Sequence, residues 1–196
     1  MIANSGTTAT FDGGAGTGDS ITFSEDAVIN VVDADFRGFS NVESVVTGNG
    51  VNTIVMGDLA QAAGIVSFTG GTGVDTVTIH EKVTSFTGGD GIDILTLDAA
   101  YDSSVSQLEI ETGTEIDDDL LDLSAFQDTA ADWGAAESSA GDVDAADEWF
   151  VSSVSSGKVT LTVYNENTAA AEAIIIDGAV AVADHANNGI LSIDMA

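Results

Sequence analysis

Cysteine and proline are both absent from this chain of 196 residues, and only Arg37, Lys82 and Lys158 carry a positive side-chain charge. Without cysteine there is no disulfide framework and no thiolate metal site. Without proline, every turn depends on Gly, Asn and Asp. A compact extracellular protein that lacks disulfides needs another staple, and a bound metal ion is one. The scarcity of cations leaves nothing to neutralise phosphate, which excludes nucleic acid and anionic membrane surfaces as partners. No stretch reaches the roughly 18 apolar residues of a membrane span. Met1-Ile2-Ala3-Asn4-Ser5 has neither a basic start nor an apolar run, so no Sec-type signal peptide is visible. The histidines are two, His80 and His185, too few for a His-rich zinc or haem site, and no serine sits in a G-x-S-x-G elbow. The expectation is a protein that is not an enzyme.

What is present is acid. Asp and Glu number 33, giving a net charge of -30, yet hydrophobic residues make up 44% of the chain. The apolar content is enough to build a core, so this is no disordered acidic tail. Self-repulsion on that scale opposes compaction unless cations neutralise it, and divalent cations are the natural partner. A Lys-poor acidic surface also suits a high-salt habitat, but habitat does not explain a register of glycines and aspartates.

That register is the main signal. Ser67-Phe68-Thr69-Gly70-Gly71-Thr72-Gly73-Val74-Asp75-Thr76-Val77-Thr78 recurs as Ser85-Phe86-Thr87-Gly88-Gly89-Asp90-Gly91-Ile92-Asp93-Ile94-Leu95-Thr96, 18 residues later. Both copies fit the nonapeptide G-G-x-G-x-D-x-U-x, with U a large apolar residue. Gly13-Gly14-Ala15-Gly16-Thr17-Gly18-Asp19 is a third copy with one extra residue before its Asp, and Gly48-Asn49-Gly50-Val51-Asn52 a fourth with Asn52 in the Asp slot. Between loops, Thr76-Val77-Thr78-Ile79 and Leu95-Thr96-Leu97 alternate as strands with one buried face do. The fold expected is all-β: a parallel β-roll or β-solenoid with calcium-binding Gly-Asp loops over residues 1–108, followed by a strand-rich C-terminal block. The opposite turns of each coil fall near Gly57-Asp58 and His80-Glu81-Lys82. The stretch from Phe23 to Thr47 is too long for one coil and holds an insertion or an imperfect extra coil.

After Leu108 the composition shifts. Residues 109–148 hold 14 acids and no base, an acidic linker with one short buried element at Leu120–Phe126. Within it, Asp117-Asp118-Asp119 with Asp122, and Asp142, Asp144, Asp147 and Glu148, lack EF-hand spacing and read as solvated acidic loop. A hairpin joins Glu148–Val151 to Lys158–Tyr164, and further strands are expected at Ala173–Ile176 and Ile190–Ile193.

In G-G-x-G-x-D the glycines permit positive φ and let carbonyls turn inward, while the Asp supplies a hard anionic oxygen. Calcium takes about 6–8 oxygens, more than one loop can offer, but two loops stacked one coil apart can share an ion. Asp75 and Asp93 are the leading candidate ligands. The carbonyls of Gly71, Gly73, Gly89 and Gly91 would complete the shell, and Asp90 would add a carboxylate. Asp19 is weakened by its extra residue. Asn52 is neutral, although its side-chain oxygen can still serve. The competing reading of each loop is a tight turn with Asp as its cap.

The two perfect nonapeptides resemble the RTX (repeats-in-toxin) β-roll of toxins, proteases, lipases, adhesins and surface-layer proteins exported by type I secretion. Gly38-Phe39-Ser40-Asn41-Val42-Glu43 is similar to the lead-in that precedes such repeats, and residues 109–196 are loosely similar to the block that follows them and carries an uncleaved secretion signal. The resemblance implies calcium-triggered folding outside the cell. The second half-turn of each coil lacks the motif, so calcium would line one edge of the roll alone.

Three function classes stay open. The leading one is a secreted calcium-binding structural protein that self-assembles as a homo-oligomer or polymer in a surface layer, filament or matrix. The others are a small secreted adhesin or ligand-binding module, with a cell-surface polysaccharide as a partner, and the calcium-binding tail of an exported enzyme.

Overall fold

The computed structural model describes residues 10–23, 28–111, 119–126, 149–151, 158–177, 179–184 and 190–195. The Val-, Ile-, Thr- and Phe-rich segments form short strands, broken wherever Gly, Asn or Asp turns the chain. In order these are β1 (Phe11–Asp12), β2 (Ser20–Phe23), β3 (Ile29–Val31), β4 (Phe39–Ser40), β5 (Ser44–Thr47) and β6 (Asn52–Val55). A short helix α1 (Asp58–Ala63) precedes β7 (Ser67–Thr69), β8 (Asp75–Ile79), β9 (Ser85–Thr87), β10 (Ile94–Leu97), β11 (Leu108–Glu111) and β12 (Asp119–Asp122). The last strands are β13 (Trp149–Val151), β14 (Lys158–Asn165), β15 (Ala170–Asp177), β16 (Ala179–Asp184) and β17 (Ile190–Met195).

From β2 to β12 the chain alternates between two sheets, except that β4 pairs with β1 in a separate two-stranded sheet. The first orders its strands β13-β14-β15-β11-β9-β7-β5-β2 and the second β16-β17-β12-β10-β8-β6-β3. Neighbours from β2 through β11 and from β3 through β12 pair in parallel. Parallel neighbours require a long connection, and here each connection is a strand of the other sheet. The protein is therefore mostly β and built on parallel sheets.

Register places like over like. In the first sheet Val45, Phe68, Phe86 and Ile110 occupy one row, all buried. The rings of Phe68 and Phe86 stack with centroids 5.4 Å apart. In the second sheet Val31, Ile54, Val77, Leu95, Leu121 and Leu191 form the facing row. Alternation along each strand puts these rows inside and most Thr and Ser on the other face, Thr47 being a buried exception, which is why the expected period-2 pattern holds.

The coils differ in length at the corner where the chain leaves the second sheet. The expected turn at His80–Lys82 is tight, whereas the one at Gly57-Asp58 opens into α1. Gly57 offers no capping side chain, and the coil before supplies one: the Asp33 carboxylate accepts N–H bonds from Gly57, Leu59 and Ala60 at 2.9, 3.1 and 3.0 Å. The long stretch after Phe23 contains β3, a 3₁₀ turn at Asp33–Phe36 and β4, an enlarged coil.

The C-terminal strands extend the same two sheets in the opposite sense. β15 pairs in parallel with β11 and antiparallel with β14, and β14 pairs antiparallel with β13, as the expected hairpin requires. β17 lies antiparallel to both β12 and β16. A polar latch ties this block to the loop after β10: the buried Glu172 carboxylate accepts from the Ser103 N–H at 2.6 Å, and the Asn165 amide donates to the carbonyls of Ala99 and Tyr101 at 3.1 Å each. Lys158 pairs with Glu109 and with Asp177, the latter at 3.1 Å. Among the described residues no helix is long and apolar enough to cross a membrane.

Candidate metal centre

Each coil enters the second sheet through a loop, and the residue that opens or immediately precedes the strand faces the interior. Asn52 pairs with Asp75 in the ladder. Asp93 precedes Ile94, whose partners are Thr76 on one side and Leu120 on the other. Asn52, Asp75, Asp93 and Asp119 therefore stand in one column, at relative exposures of 0%, 1%, 1% and 8%. Adjacent rungs are about 4.8 Å apart, the spacing of hydrogen-bonded strands.

The side chains reach along the column. Asp93 Oδ1 accepts the Asp75 N–H at 2.8 Å, and Asp119 Oδ1 accepts the Asp93 N–H at 2.9 Å. Asp75 Oδ1 accepts from the Asn52 amide at 2.6 Å, and its Oδ2 accepts from the Thr47 hydroxyl at 3.3 Å. Burial pushes the Asp75 carboxyl above its ordinary value, against the pull of the Asn52 amide and the Thr47 hydroxyl. The chain's three cationic side chains lie elsewhere: Arg37 and Lys82 are exposed on the opposite corner, and Lys158 is on β14.

Glycine spacing shapes the loops beside the column. Gly71 stacks on the Gly48 carbonyl and Gly89 on that of Gly71; Gly73 stacks on Gly50 and Gly91 on Gly73. A Cβ at any of these would strike backbone. Gly73 and Gly91 also need their freedom, with φ of 123° and 114°. Gly70 and Gly88 also make room for side chains: an added Cβ at Gly70 would strike the Gly88 carbonyl and the Asp75 carboxylate, and one at Gly88 would land in the Asp93 carboxylate. The first glycine of each repeat thus makes room for the acid that ends it. The Gly71 carbonyl accepts the Asp90 N–H at 2.9 Å, and the Gly73 N–H donates to the Asp90 carbonyl at 2.7 Å, so successive loops are laced together.

Of the residues expected at the site, Asp75, Asp93, Asn52 and the four glycines are brought together. Asp90 is exposed at the loop surface, outside the buried column. Asp19 is at the other corner: it leads into β2 of the first sheet, its N–H donates to the Glu43 carboxylate at 2.8 Å and its carbonyl accepts the Glu43 N–H at 2.9 Å. The cause is β1, which pairs with β4 and so sets loop 13–19 half a coil away from loops 70–75 and 88–93.

Asp119 was expected in a solvated acidic loop and is instead buried in the column. A signal for it exists: Asp119-Leu120-Leu121-Asp122-Leu123 repeats the pattern of Asp93-Ile94-Leu95-Thr96-Leu97 without the glycines. Asp122 is half-buried and caps the turn at Ser124–Phe126 through its bond from the Ser124 N–H at 2.9 Å. His80 was expected in an exposed turn but is 6% exposed. Its Nδ1 accepts the Lys82 N–H at 3.1 Å, its Nε2 is buried without a well-formed hydrogen bond, and burial lowers its pKa. Asp117, Asp118, His185 and residues 142–148 lie outside the described residues.

Chemically the three carboxylates of the column are hard oxygen donors with glycine loops beside them, a chemistry that suits a hard cation such as calcium. Among the described residues no three acidic or histidine side chains converge on one point. The carboxylates form a line, so any ion held here would draw the rest of its shell from loop carbonyls and water. Compared with protein-family models, curated proteins and solved structures, the chain matches none.

Proposed function

We propose that this protein is a secreted, calcium-binding β-solenoid that folds in response to calcium and self-assembles as an extracellular structural element. The observation that carries the reading is the column itself: Asp75, Asp93 and Asp119 are buried one above another, in a chain of net charge -30 whose three cationic side chains are placed elsewhere. Ionised carboxylates so close in a dry setting repel, and burial already favours the protonated form at Asp75. A divalent ion relieves both effects at once. Outside the cell calcium would be bound, and the loops with it would set.

Two further features support the reading. The alternation of strands between two parallel sheets is what a two-sided solenoid would require, and solenoids are lengthened by stacking. At the N-terminal end, β2 and β3 are the terminal strands of their sheets among the described residues. Phe11, Val28 and Val32 are exposed there at 46%, 79% and 47%. Open parallel edges with apolar residues beside them are where another chain would add.

The test is a calcium titration of chelator-treated protein followed in parallel by circular dichroism and light scattering. A rise of β signal with particle size supports calcium-driven assembly. A rise of β signal in a protein that stays monomeric would favour a binding module, and no response to calcium would overturn the reading.

A further inference from the structure

At the first rung of the column, three oxygens surround one nitrogen. The Asn52 Nδ2 lies 2.6 Å from Asp75 Oδ1, 3.3 Å from the Gly48 carbonyl and 3.4 Å from the Gly50 carbonyl. A carboxylate and two carbonyls can only accept, so the atom facing them has to be the donor end of the amide. The orientation leaves the other end of the side chain wanting: Asn52 Oδ1 is buried and has no hydrogen-bond partner. Reversing the amide would supply none of the three oxygens with a proton, so the observed orientation stands despite the orphaned oxygen.

The next loop stacks on this one with one change. Gly71 stacks on Gly48, Gly73 stacks on Gly50, and Asp75 pairs with Asn52. In the Asn52 position Asp75 brings an oxygen and no proton. Its side chain therefore offers no donor to Asp93, the next carboxylate of the column, whereas Asn52 offers one to Asp75.

We infer that Asn52 is a built-in substitute for a cation: its amide closes the column at the N-terminal end, so that the coils before loop 70–75 hold together without metal and calcium binding begins at Asp75. The inference rests on the calcium reading above and adds to it where the array of ions starts and why. It also reassigns Asn52, expected as a ligand through its oxygen, to a role played by its nitrogen. A chain whose first coils set without calcium presents a folded template on which the metal-dependent loops can be laid down in order.

The experiment is isothermal titration of CaCl₂ into the chelator-treated full chain, unmodified and carrying Asn52→Asp, with circular dichroism at saturating calcium to confirm that the variant is folded. The inference expects Asn52→Asp to bind one more calcium per chain than the unmodified protein and to be less β-structured than it in chelator. Equal, non-zero stoichiometries would overturn the inference and leave the calcium reading standing. A stoichiometry of zero in the unmodified chain would overturn both. A second measurement needs no variant: the Asn52 side-chain amide protons, followed by NMR, should resist exchange with solvent in chelator as strongly as in calcium. Free exchange of that amide in chelator would overturn the inference whether or not Asn52→Asp folds.

Discussion

Replacing Asp75 by asparagine removes one charge from the middle of the column and keeps the side chain's shape. Two unit charges on adjacent rungs, about 4.8 Å apart, repel by about 3.5 kcal/mol at an effective dielectric near 20. Against that gain, the bonds from the Asn52 amide and the Thr47 hydroxyl lose their charge assistance, at about 1–2 kcal/mol. In chelator at neutral pH, Asp75→Asn should therefore be more stable than the unmodified protein by about 2 kcal/mol, which raises Tm by about 4–8 °C in a chain of this size. In calcium the sign turns. A site filled at about 100 times its Kd contributes about 2.7 kcal/mol, and the variant forfeits what Asp75 shares in. Melting curves in EGTA and in millimolar calcium read both effects, and the calcium-induced rise in Tm should shrink by several degrees.

The pH dependence follows from the same residue. Its carboxyl is raised from 3.8 in the fold, so the folded state holds that proton more firmly than the unfolded chain does. The resulting stabilisation is present below about pH 4 and is lost as pH rises through the raised folded value. In chelator, acidification from neutral should strengthen the unmodified protein, and Asp75→Asn should lose that slope. Equal destabilisation of Asp75→Asn in chelator and in calcium would refute the reasoning, because it would make Asp75 a turn cap and nothing more.

Gly88→Ala should abolish the calcium-induced stabilisation or sharply weaken it, since its Cβ would intrude on the Asp93 carboxylate, whereas Gly18→Ala, with open space around it, should stay within about 0.5 kcal/mol of the parent in denaturant titration. Phe86→Ala removes half of a stacked, buried pair and should cost about 3–5 kcal/mol by the same titration in saturating calcium. His80 is held neutral by burial, below its ordinary value of 6.5, so its contribution is present above about pH 6.5 and is lost as pH falls through the lowered folded value; a calcium-saturated pH series of Tm should show that decline, and His80→Leu should flatten it.

The repeat was legible because its constraints are local. An 18-residue offset between two Gly-Gly-x-Gly-x-Asp segments dictates that one loop stacks on the other, and the alternation of Val, Ile and Leu with Thr tells which face of each strand is dry. Those two regularities were enough to expect parallel strands, to place Asp75 beside Asp93, and to put Asn52 in the same slot although its coil is 23 residues long. The extra residues go to the far corner as α1, where nothing disturbs the column.

Position within the coil was decided only by the tertiary structure. Loop 13–19 carries the glycines and the acid, but which corner it occupies depends on β1 pairing with β4, a contact between segments whose local sequence does not announce it. Asp119 has no glycines before it, and its membership of the column follows from β12 lying beside β10. His80 is polar and next to two charged residues, and is buried because the neighbouring coil covers it. The amide of Asn52 shows the division most plainly. Asparagine in an aspartate slot reads as a weakened ligand, because sequence records residue types and not the directions in which their atoms point. Three acceptors converging on one point turn the same side chain around, and hydrogen-bond complementarity then makes it a donor.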